Sequence, residues 1–314
     1  MSFRLVSAGL TTLDIAGRAI DSIPAHGETR LIESIAVAPA GTAAGTALVA
    51  ARLGVPVALA GAVGGDGAGR FVRAELAQAG VDTTLVATLP ERRTSTTILA
   101  IRSDGERPNF HALGASLNFE ITPPLIAAVR TTKFLHWAGV GGHRVDGGPA
   151  ATLLAQAKAG GAVVTCDLIS PGARTLAELA RLLPHVDYFM PSMSEAFFLA
   201  ETKNPAEAAR CFLRMGAGTC ILKWGARGAF VATGSDEIRV PAYEIIPVDT
   251  TSCGDSFCAG FIAALDRGFE LSDACRFASA TAALVAQDLG TLGKLKDFDS
   301  TLQFMGETPT RALA

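Results

Sequence analysis

Residues 249–265 read Asp-Thr-Thr-Ser-Cys-Gly-Asp-Ser-Phe-Cys-Ala-Gly-Phe-Ile-Ala-Ala-Leu. The second half of this stretch predicts a helix, because its large apolar residues would lie on one face. The small residues before it predict a tight turn whose backbone N–H groups are free to bind an anion at the positive end of the helix dipole. The same residues also fit an ordinary helix cap, formed by the side chain of Thr251 or Ser252.

Asp255 is the residue that bears on this choice, because an anion site does not need an acid and a phosphate would be repelled by one. Its place in the turn makes sense if the carboxylate faces a substrate hydroxyl and accepts its proton. In the capping interpretation, the helix dipole simply favours an acid in the first turn. These residues alone leave both interpretations open, and capping is the simpler one.

Outward from this stretch, apolar runs alternate with segments of helical periodicity. The runs predict strands at 5–8, 55–60, 134–137, 162–166, 186–190, 219–223 and 229–232. The segments predict helices at 42–53, 67–79, 150–159, 174–183, 194–200 and 205–215, and two helices at 253–267 and 272–288 that close the chain. This alternation predicts an α/β fold in which helices cover both faces of a mostly parallel sheet.

Two segments break the alternation. Residues 13–37 and 94–112 have the polar–apolar pattern of strands and contain turn residues, but no helical segment separates their strands. They predict a small sheet over the end of the main one, where ligands bind in open α/β folds. Because no linker or repeat is visible, the prediction is a single domain over residues 1–314 with these segments inserted as a lid.

Composition argues against several classes of partner. The net charge is −3 and the chain has no Lys/Arg run, so we expect neither a nucleic acid nor an anionic membrane as a partner. The uncharged residues 34–51 include Pro, Gly and Thr, which predicts a soluble segment rather than a membrane span. The first residues lack signal-peptide character, so we expect a cytoplasmic protein.

The six cysteines and five histidines show no metal-binding spacing. Without a C-x-x-C pair, the cysteines predict reduced thiols in a cytosolic protein, and the dispersed histidines predict no transition-metal site. The sequence also lacks a P-loop signature and a G-x-S-x-G elbow, which argues against a P-loop NTPase and an α/β-hydrolase.

Four separated motifs resemble the signatures of one enzyme family. Residues 249–261 are similar to the C-terminal signature of the ribokinase-like (PfkB) carbohydrate kinases, D-T-x-G-A-G-D-x-F-x-x-G-F. Residues 40–54 resemble the N-terminal signature, 61–69 the G-x-V-G-x-D-x-x-G motif, and 223–228 the glycine loop on the nucleotide side. The resemblance extends from about residue 5 to 293. It implies an ATP-dependent kinase with a three-layer α/β/α fold and a β-sheet lid.

For the transfer step, the resemblance implies that Asp255 is the catalytic base that deprotonates the acceptor hydroxyl. The backbone of Ser252, Cys253 and Gly254 would form the anion hole for the transferred phosphoryl group. The family commonly has Gly-Ala where this chain has Ser252 and Cys253. Both residues are small enough to leave the backbone accessible.

For the acceptor, the resemblance implies that Asp14 hydrogen-bonds substrate hydroxyls and that Gly41 and Gly45 line the same pocket. The family usually has Asn where Gly45 stands, so one polar contact to the substrate is missing. Asp167 is expected to contact the substrate or support the pocket. His111, in the second lid segment, is a further candidate for substrate binding.

For the nucleotide, the resemblance implies contacts from Lys223, Gly225 and Gly228. Ser279 and Ala282, on the last predicted helix, are further candidates for the adenine pocket. Each of these two residues also fits simple helix packing.

ATP and Mg²⁺ are the implied cofactors. The family's N-x-x-E motif supports Mg²⁺ through water, and here Ser192 replaces the Asn while Glu195 keeps the acid. A monovalent cation such as K⁺ is expected near Asp249 and Thr251, with the loop at 290–293.

The sequence does not identify the molecule that accepts the phosphoryl group. A sugar or sugar-like molecule is the first expectation, and a nucleoside is the alternative. Phe110 and His111 are candidates to stack on the base of a nucleoside, and both also fit the core of the lid. A different class is a catalytically silent sugar-binding relative, for which the departures at Gly45 and Ser192 leave room. Because the family's lid often forms a dimer interface, we also expect a homodimer.

Overall fold

The structure is a computed structural model that describes residues 3–104, 106–142, 145–146 and 148–313. Its strands are β1 (Leu5–Gly9), β2 (Thr12–Arg18), β3 (Ser34–Ala40), β4 (Val57–Gly64), β5 (Val86–Leu89), β6 (Thr96–Ile101), β7 (Asn109–Ala112), β8 (Phe134–Val140), β9 (Val163–Leu168), β10 (Tyr188–Phe189), β11 (Thr219–Lys223), β12 (Ala229–Ala232) and β13 (Glu237–Val240). Its helices are α1 (Thr42–Arg52), α2 (Gly67–Gln78), α3 (Pro123–Val129), α4 (Gly148–Ala159), α5 (Thr175–Leu182), α6 (Met193–Ala200), α7 (Pro205–Arg214), α8 (Cys253–Asp266), α9 (Leu271–Val285) and α10 (Phe298–Glu307). None of these helices has both the length and the apolar character needed to cross a bilayer.

Within the described residues, nine strands form one sheet in the order β13-β12-β11-β10-β9-β8-β1-β4-β5. From β11 to β5 in that order, neighbouring strands pair in parallel. The strands β12 and β13 add an antiparallel edge beside β11. The predicted mostly parallel sheet is therefore confirmed.

Helices cover both faces of this sheet. The central strands β4 and β8 are buried along their whole length, as expected for strands with a helical layer on each side. Successive residues of β1 point into different cores: Leu5 belongs to the cluster that contains residues of α1, α8 and α9, whereas Val6 belongs to the cluster that contains residues of α4 to α7. The three-layer α/β/α prediction is confirmed.

A second, smaller sheet forms the lid, with the strand order β3-β2-β6-β7 in the described residues. Its strands lie at the two segments that break the βαβ alternation, which confirms the predicted small sheet. Only a few residues separate β1 from β2 and β3 from α1, so the lid stands at the carboxyl end of β1, beside the start of α1.

Three details differ from the sequence prediction. The chain does not close with α9, because α10 follows and its Phe298 stacks on Phe277 with ring centroids 4.2 Å apart. The edge strands β5 and β13 were not predicted, since both are short and several of their residues are exposed. The strand expected at 186–190 contracts to β10.

Candidate active site

Asp249 holds the turn that precedes α8. Its buried carboxylate accepts hydrogen bonds from Thr251 N at 2.8 Å and from Gly290 N at 3.2 Å. Ser252 has a left-handed backbone, with φ of 56°, and its side chain makes no cap bond. In the described residues, Thr251 Oγ1 is buried without a partner. The interpretation of this turn as a cap made by Thr251 or Ser252 is therefore wrong.

The N–H groups at the start of α8 are open to a ligand. Among the described residues, no backbone acceptor takes the N–H of Ser252 or Gly254, and Cys253 N reaches Thr250 O only at 3.5 Å. Burial raises the pKa of the Cys253 thiol to about 12, so this side chain is neutral beside them. Open backbone donors at the positive end of a helix dipole can bind an anion.

Asp255 lies in the first turn of α8, next to these N–H groups, and it faces α1. A Cβ placed on Gly45 would come 2.9 Å from Asp255 Oδ2, so the carboxylate uses the space that a side chain at position 45 would need. Burial and the charge of Asp167 raise the pKa of Asp255 to about 8, while Lys223 opposes them. A carboxylate with this pKa can accept a proton near neutral pH.

A row of polar side chains crosses the inner face of the lid. Asp14 on β2 is opposite Thr97 on β6, and Thr97 is opposite His111 on β7. Thr97 Oγ1 lies 3.1 Å from His111 Nδ1, and both Thr97 and Thr12 hydrogen-bond the Asp14 carboxylate. Burial raises the pKa of Asp14, and these hydrogen bonds oppose it. The charge of Asp14 also raises the pKa of Asp255, so the row acts on the acid.

Gly41 shapes the backbone beside this space. Its φ is 93°, and a Cβ there would lie 2.7 Å from Leu10 O. Only glycine fits both the positive φ and this close approach, which explains why the N-terminal motif has glycine at the entry to α1.

Phe110 lies on the other face of the lid from His111. The two residues are neighbours in β7, so their side chains point in opposite directions. Phe110 is 62% exposed and stands opposite Ile98. The suggestion that Phe110 stacks on a nucleoside base is therefore wrong, and His111 is the aromatic residue in the polar row.

A cavity of about 220 Å³ adjoins the N-terminus of α8. Cys253 and Gly254 line it on the α8 side. The structure brings all the residues predicted for the nucleotide to its wall: Lys223, Gly225, Gly228, Ser279 and Ala282. The remaining wall is largely apolar, including Ala242, Ile245 and Phe257, which suits the flat face of a nucleotide base.

Ser192 and Glu195 form a capping box at the start of α6. Glu195 N donates to Ser192 Oγ at 3.3 Å, and Glu195 Oε2 accepts from Ser192 N at 2.8 Å and from Ser192 Oγ at 2.6 Å. Burial raises the pKa of Glu195, and the bonds from Ser192 oppose it. Both bonds to Glu195 use Oε2, which leaves Oε1 as an oxygen ligand of the type that Mg²⁺ and its water shell prefer.

A cluster at the end of the central strands was not predicted from the sequence. Ligand-type atoms of His136, Asp167 and Cys258 lie within 4.8 Å of one another. Lys223 Nζ lies 3.8 Å from Asp167 Oδ2 and 3.6 Å from Cys258 Sγ, so an ammonium already supplies positive charge and would repel a metal ion. The members come from β8, β9, β11 and α8, and the spacing of His and Cys in the sequence does not reveal them.

Arg107 on the lid was also missed. It lies outside β7, two residues before that strand begins at Asn109. Its positive charge lowers the pKa of Cys253 and of Asp255, against the larger effect of burial. Because Arg107 lies outside β7, the two-residue period of that strand does not place it.

An open helix N-terminus beside a partly buried acid, with a cavity on one side and a lid on the other, is the arrangement of a phosphotransferase. A family model described as pfkB family carbohydrate kinase matches residues 2–297. The chain therefore belongs to the pfkB family of carbohydrate kinases.

Individual relatives agree with this assignment. The chain is 28% identical to a ribokinase of Haemophilus influenzae over 89% of this chain and 91% of that protein. It is 27% identical to a nucleoside kinase of Methanothermobacter thermautotrophicus, with 93% and 92% of the two chains covered. The fold is also similar to that of an Arabidopsis thaliana ribokinase solved with ribose and ATP, with a TM-score of 0.77, 22% identity, and 97% and 99% of the two chains covered.

Proposed function

We propose that this chain transfers the γ-phosphoryl group of ATP to a hydroxyl of a sugar or sugar-like molecule, with Asp255 as the base. The observation that carries the proposal is the first turn of α8, where open N–H groups and a carboxylate with raised pKa lie side by side. The N–H groups of Ser252, Cys253 and Gly254 would hold the transferred group. Asp255 would take the proton of the attacking hydroxyl.

ATP would occupy the cavity between the glycine loop after β11 and the helices α8 and α9. Its base would lie against the apolar wall, near Ser279 and Ala282, and its phosphates would extend past Gly225 to the N-terminus of α8. The positive φ values of Gly225 and Gly228 support this placement, because they keep the loop narrow and free of side chains at those positions.

Mg²⁺ would be held through water by Glu195, with Ser192 fixing the orientation of the carboxylate. When bound, the ion neutralises charge on the phosphate oxygens. The capping box is the observation that supports this role, because Ser192 takes the place of the family's Asn by binding Glu195 directly. Replacing Ser192 with Asn should therefore leave the Mg²⁺ requirement in place.

A monovalent cation such as K⁺ would bind near Asp249 and Thr251. Two features support this proposal: the Asp249 carboxylate is buried, and Thr251 Oγ1 is buried without a partner in the described part of the chain. A cation there would give that oxygen a ligand. Turnover measured with KCl should exceed turnover with an equal concentration of a tetraalkylammonium chloride, and equal rates would reject this site.

The acceptor would lie between Asp255 and the polar row of the lid, where Asp14 and His111 can hydrogen-bond its other hydroxyls. The lid would exclude water from the transferred group and so limit hydrolysis of ATP. A nucleoside is the second candidate, because one relative is a nucleoside kinase. Because Phe110 points outward, a nucleoside base would have only His111 of the two aromatic residues named for it. This arrangement favours a sugar as the acceptor.

We also propose a homodimer that forms through the outer face of the lid. The residues Val37, Ile15, Ile98 and Phe110 stand in one row across its strands, and three of them are 46–62% exposed. A flat apolar face of this kind can be buried by the same face of a second copy around a two-fold axis.

Sedimentation velocity tests the dimer. Wild type should sediment as a dimer, and the double variant Ile98→Asp/Phe110→Asp should sediment as a monomer. Phe198→Asp is the matched control, because Phe198 is also an exposed phenylalanine, at 61%, but lies on α6. A monomeric wild type would reject the proposal.

An ADP-release screen over sugars, sugar phosphates and nucleosides tests the function. Release of ADP should depend on one class of acceptor, and neutral sugars should lead. Binding of a sugar without ADP release from any acceptor would instead indicate a silent sugar-binding relative.

A further inference from the structure

Lys223 places its ammonium directly beneath the first turn of α8. Lys223 Nζ lies 3.4 Å from Gly254 O, 3.6 Å from Cys258 Sγ and 3.8 Å from Asp167 Oδ2. Its side chain is only 13% exposed. Burial works against the charge, but the carboxylates of Asp167 and the neighbouring acids help to raise the pKa of Lys223, so the ammonium stays protonated.

Asp167 is the fixed negative partner of this ammonium. Its side chain is 2% exposed, and Oδ1 accepts a hydrogen bond from Gly139 N at 2.7 Å. His136 Nε2 lies 4.0 Å from the same oxygen, but burial lowers the pKa of His136 to about 3, so this ring is neutral. Within this cluster, Lys223 is therefore the positive charge opposite Asp167.

Asp255 stands one turn of helix from this pair. Cys258 follows Asp255 by three residues on α8, so the two side chains share a face of the helix. Cys258 Sγ is in contact with both members of the pair, at 3.6 Å from Lys223 Nζ and 4.0 Å from Asp167 Oδ2. Lys223 and Asp167 thus lie one helical turn from Asp255, on the same face of α8.

We propose that Lys223 and Asp167 are positioning residues that set the charge of Asp255: Lys223 favours the carboxylate form, and Asp167 opposes it. This inference rests on the proposed role of Asp255 as the base. A pocket that already holds Asp167 and Asp14 disfavours a third carboxylate, and the ammonium of Lys223 offsets that cost. Lys223 would therefore do more than line the nucleotide cavity, and Asp167 would act on the reaction without touching the substrate.

The charged groups facing Asp255 give the direction of each effect. Asp167 on β9 and Asp14 on the lid raise its pKa, whereas Lys223 on β11 and Arg107 on the lid lower it. Removing the ammonium should move the ionisation of Asp255 to higher pH, and removing the charge of Asp167 should move it to lower pH. A purely structural pair would weaken activity in both variants without opposite shifts.

The test compares Lys223→Met with Asp167→Asn in the full-length chain. The Asp255 carboxyl is titrated by ¹³C NMR without ligands, with its signal assigned by its loss in Asp255→Asn. We expect an upward shift of about one pH unit or more in Lys223→Met and a downward shift of similar size in Asp167→Asn. Lys158→Met is the matched control, because Lys158 pairs with Asp187 at the surface, and it should cause no shift.

The acid limb of kcat/KM for the acceptor should follow the same two shifts. Shifts of the same sign, or none in either variant, would overturn the inference. If circular dichroism shows that Lys223→Met does not fold, the test rests on Asp167→Asn alone. A downward shift of the Asp255 titration in that variant would then support the inference, and no shift would overturn it. Because the NMR titration needs no turnover, opposite shifts without transfer to any acceptor would support the charge effect and reject the proposed function.

Discussion

The proposed transfer half and the proposed acceptor half of the site are built differently. In the transfer half, the anion-binding turn and the acid lie within residues 249–255 and are anchored to α8, a core helix. In the acceptor half, Asp14, Thr97 and His111 come from separate strands of the lid and meet only through strand register. In the proposed mechanism, the transfer chemistry would therefore depend on one continuous segment, whereas acceptor binding would depend on how the lid strands pair.

The two halves also use carboxylates in different ways. Burial and the charge of Asp167 raise the pKa of Asp255 to about 8, so it suits proton transfer. Asp14 is hydrogen-bonded by Thr12 and Thr97, which oppose the effect of burial on its pKa and suit it to accept bonds as an anion. Variants in each half should therefore fail in different ways.

Replacing Asp255 with Asn should have the largest effect. The variant loses the base but keeps the anion hole, so transfer should fall by roughly 10²–10⁴-fold while ATP binding is retained. Calorimetry with a non-hydrolysable ATP analogue, alongside ADP-release assays, measures both. Turnover close to wild type would remove Asp255 from the role of base.

Replacing Gly228 with Ala should have the second-largest effect, by disturbing the loop that lines the nucleotide cavity. Its φ is 84°, and a Cβ would lie 1.9 Å from Val240 O, so the β11–β12 loop must move. We expect a loss of roughly 3 kcal/mol in the free energy of unfolding and a higher KM for ATP. Gly225→Ala is the matched control: its φ is 55° but nothing lies within 4 Å of its Cβ, so it should cost only about 1 kcal/mol. Equal losses in the two variants would contradict this assignment.

Replacing Asp14 with Ala should affect the acceptor alone. Loss of a charged hydrogen-bonding group costs about 1.5–3 kcal/mol, so the KM of the acceptor should rise roughly 10- to 100-fold with little change in that of ATP. Asp21→Ala, which removes an exposed acid from the same lid, should leave both values unchanged. A rise in the KM of ATP instead would move Asp14 to the transfer half.

The pH dependence of stability should show the smallest effect. The native pKa of Asp255 is raised, so its contribution to stability is fully present below its unfolded pKa of about 4 and is lost as pH rises through about 8. Between pH 6 and pH 8, wild type without ligands should therefore lose roughly 1–2 kcal/mol more than Asp255→Asn in urea unfolding. Parallel losses in the two proteins would indicate that Asp255 titrates normally.

The two halves also differ in what the sequence reveals. Residues 249–255 and the glycine loop after β11 are short contiguous motifs, so the sequence could point to a candidate anion hole and to residues that line the cavity beside it. Whether His111 or Phe110 faces the pocket depends on strand register, which the sequence leaves open. The Lys223–Asp167 pair joins residues from two strands far apart in the chain, and no local pattern signals it. The fold was predictable because the βαβ alternation repeats along the chain, whereas short edge strands carry too few residues to show a pattern.

A crystal structure with Mg²⁺, a non-hydrolysable ATP analogue and the acceptor identified by the screen tests the transfer site most directly. Transfer at α8 predicts γ-phosphate oxygens within hydrogen-bond distance of the N–H groups of residues 252–254. It also predicts an acceptor hydroxyl between that phosphate and the Asp255 carboxylate, with a second hydroxyl on Asp14. A γ-phosphate bound away from α8, or an acceptor with no hydroxyl near Asp255, would contradict it.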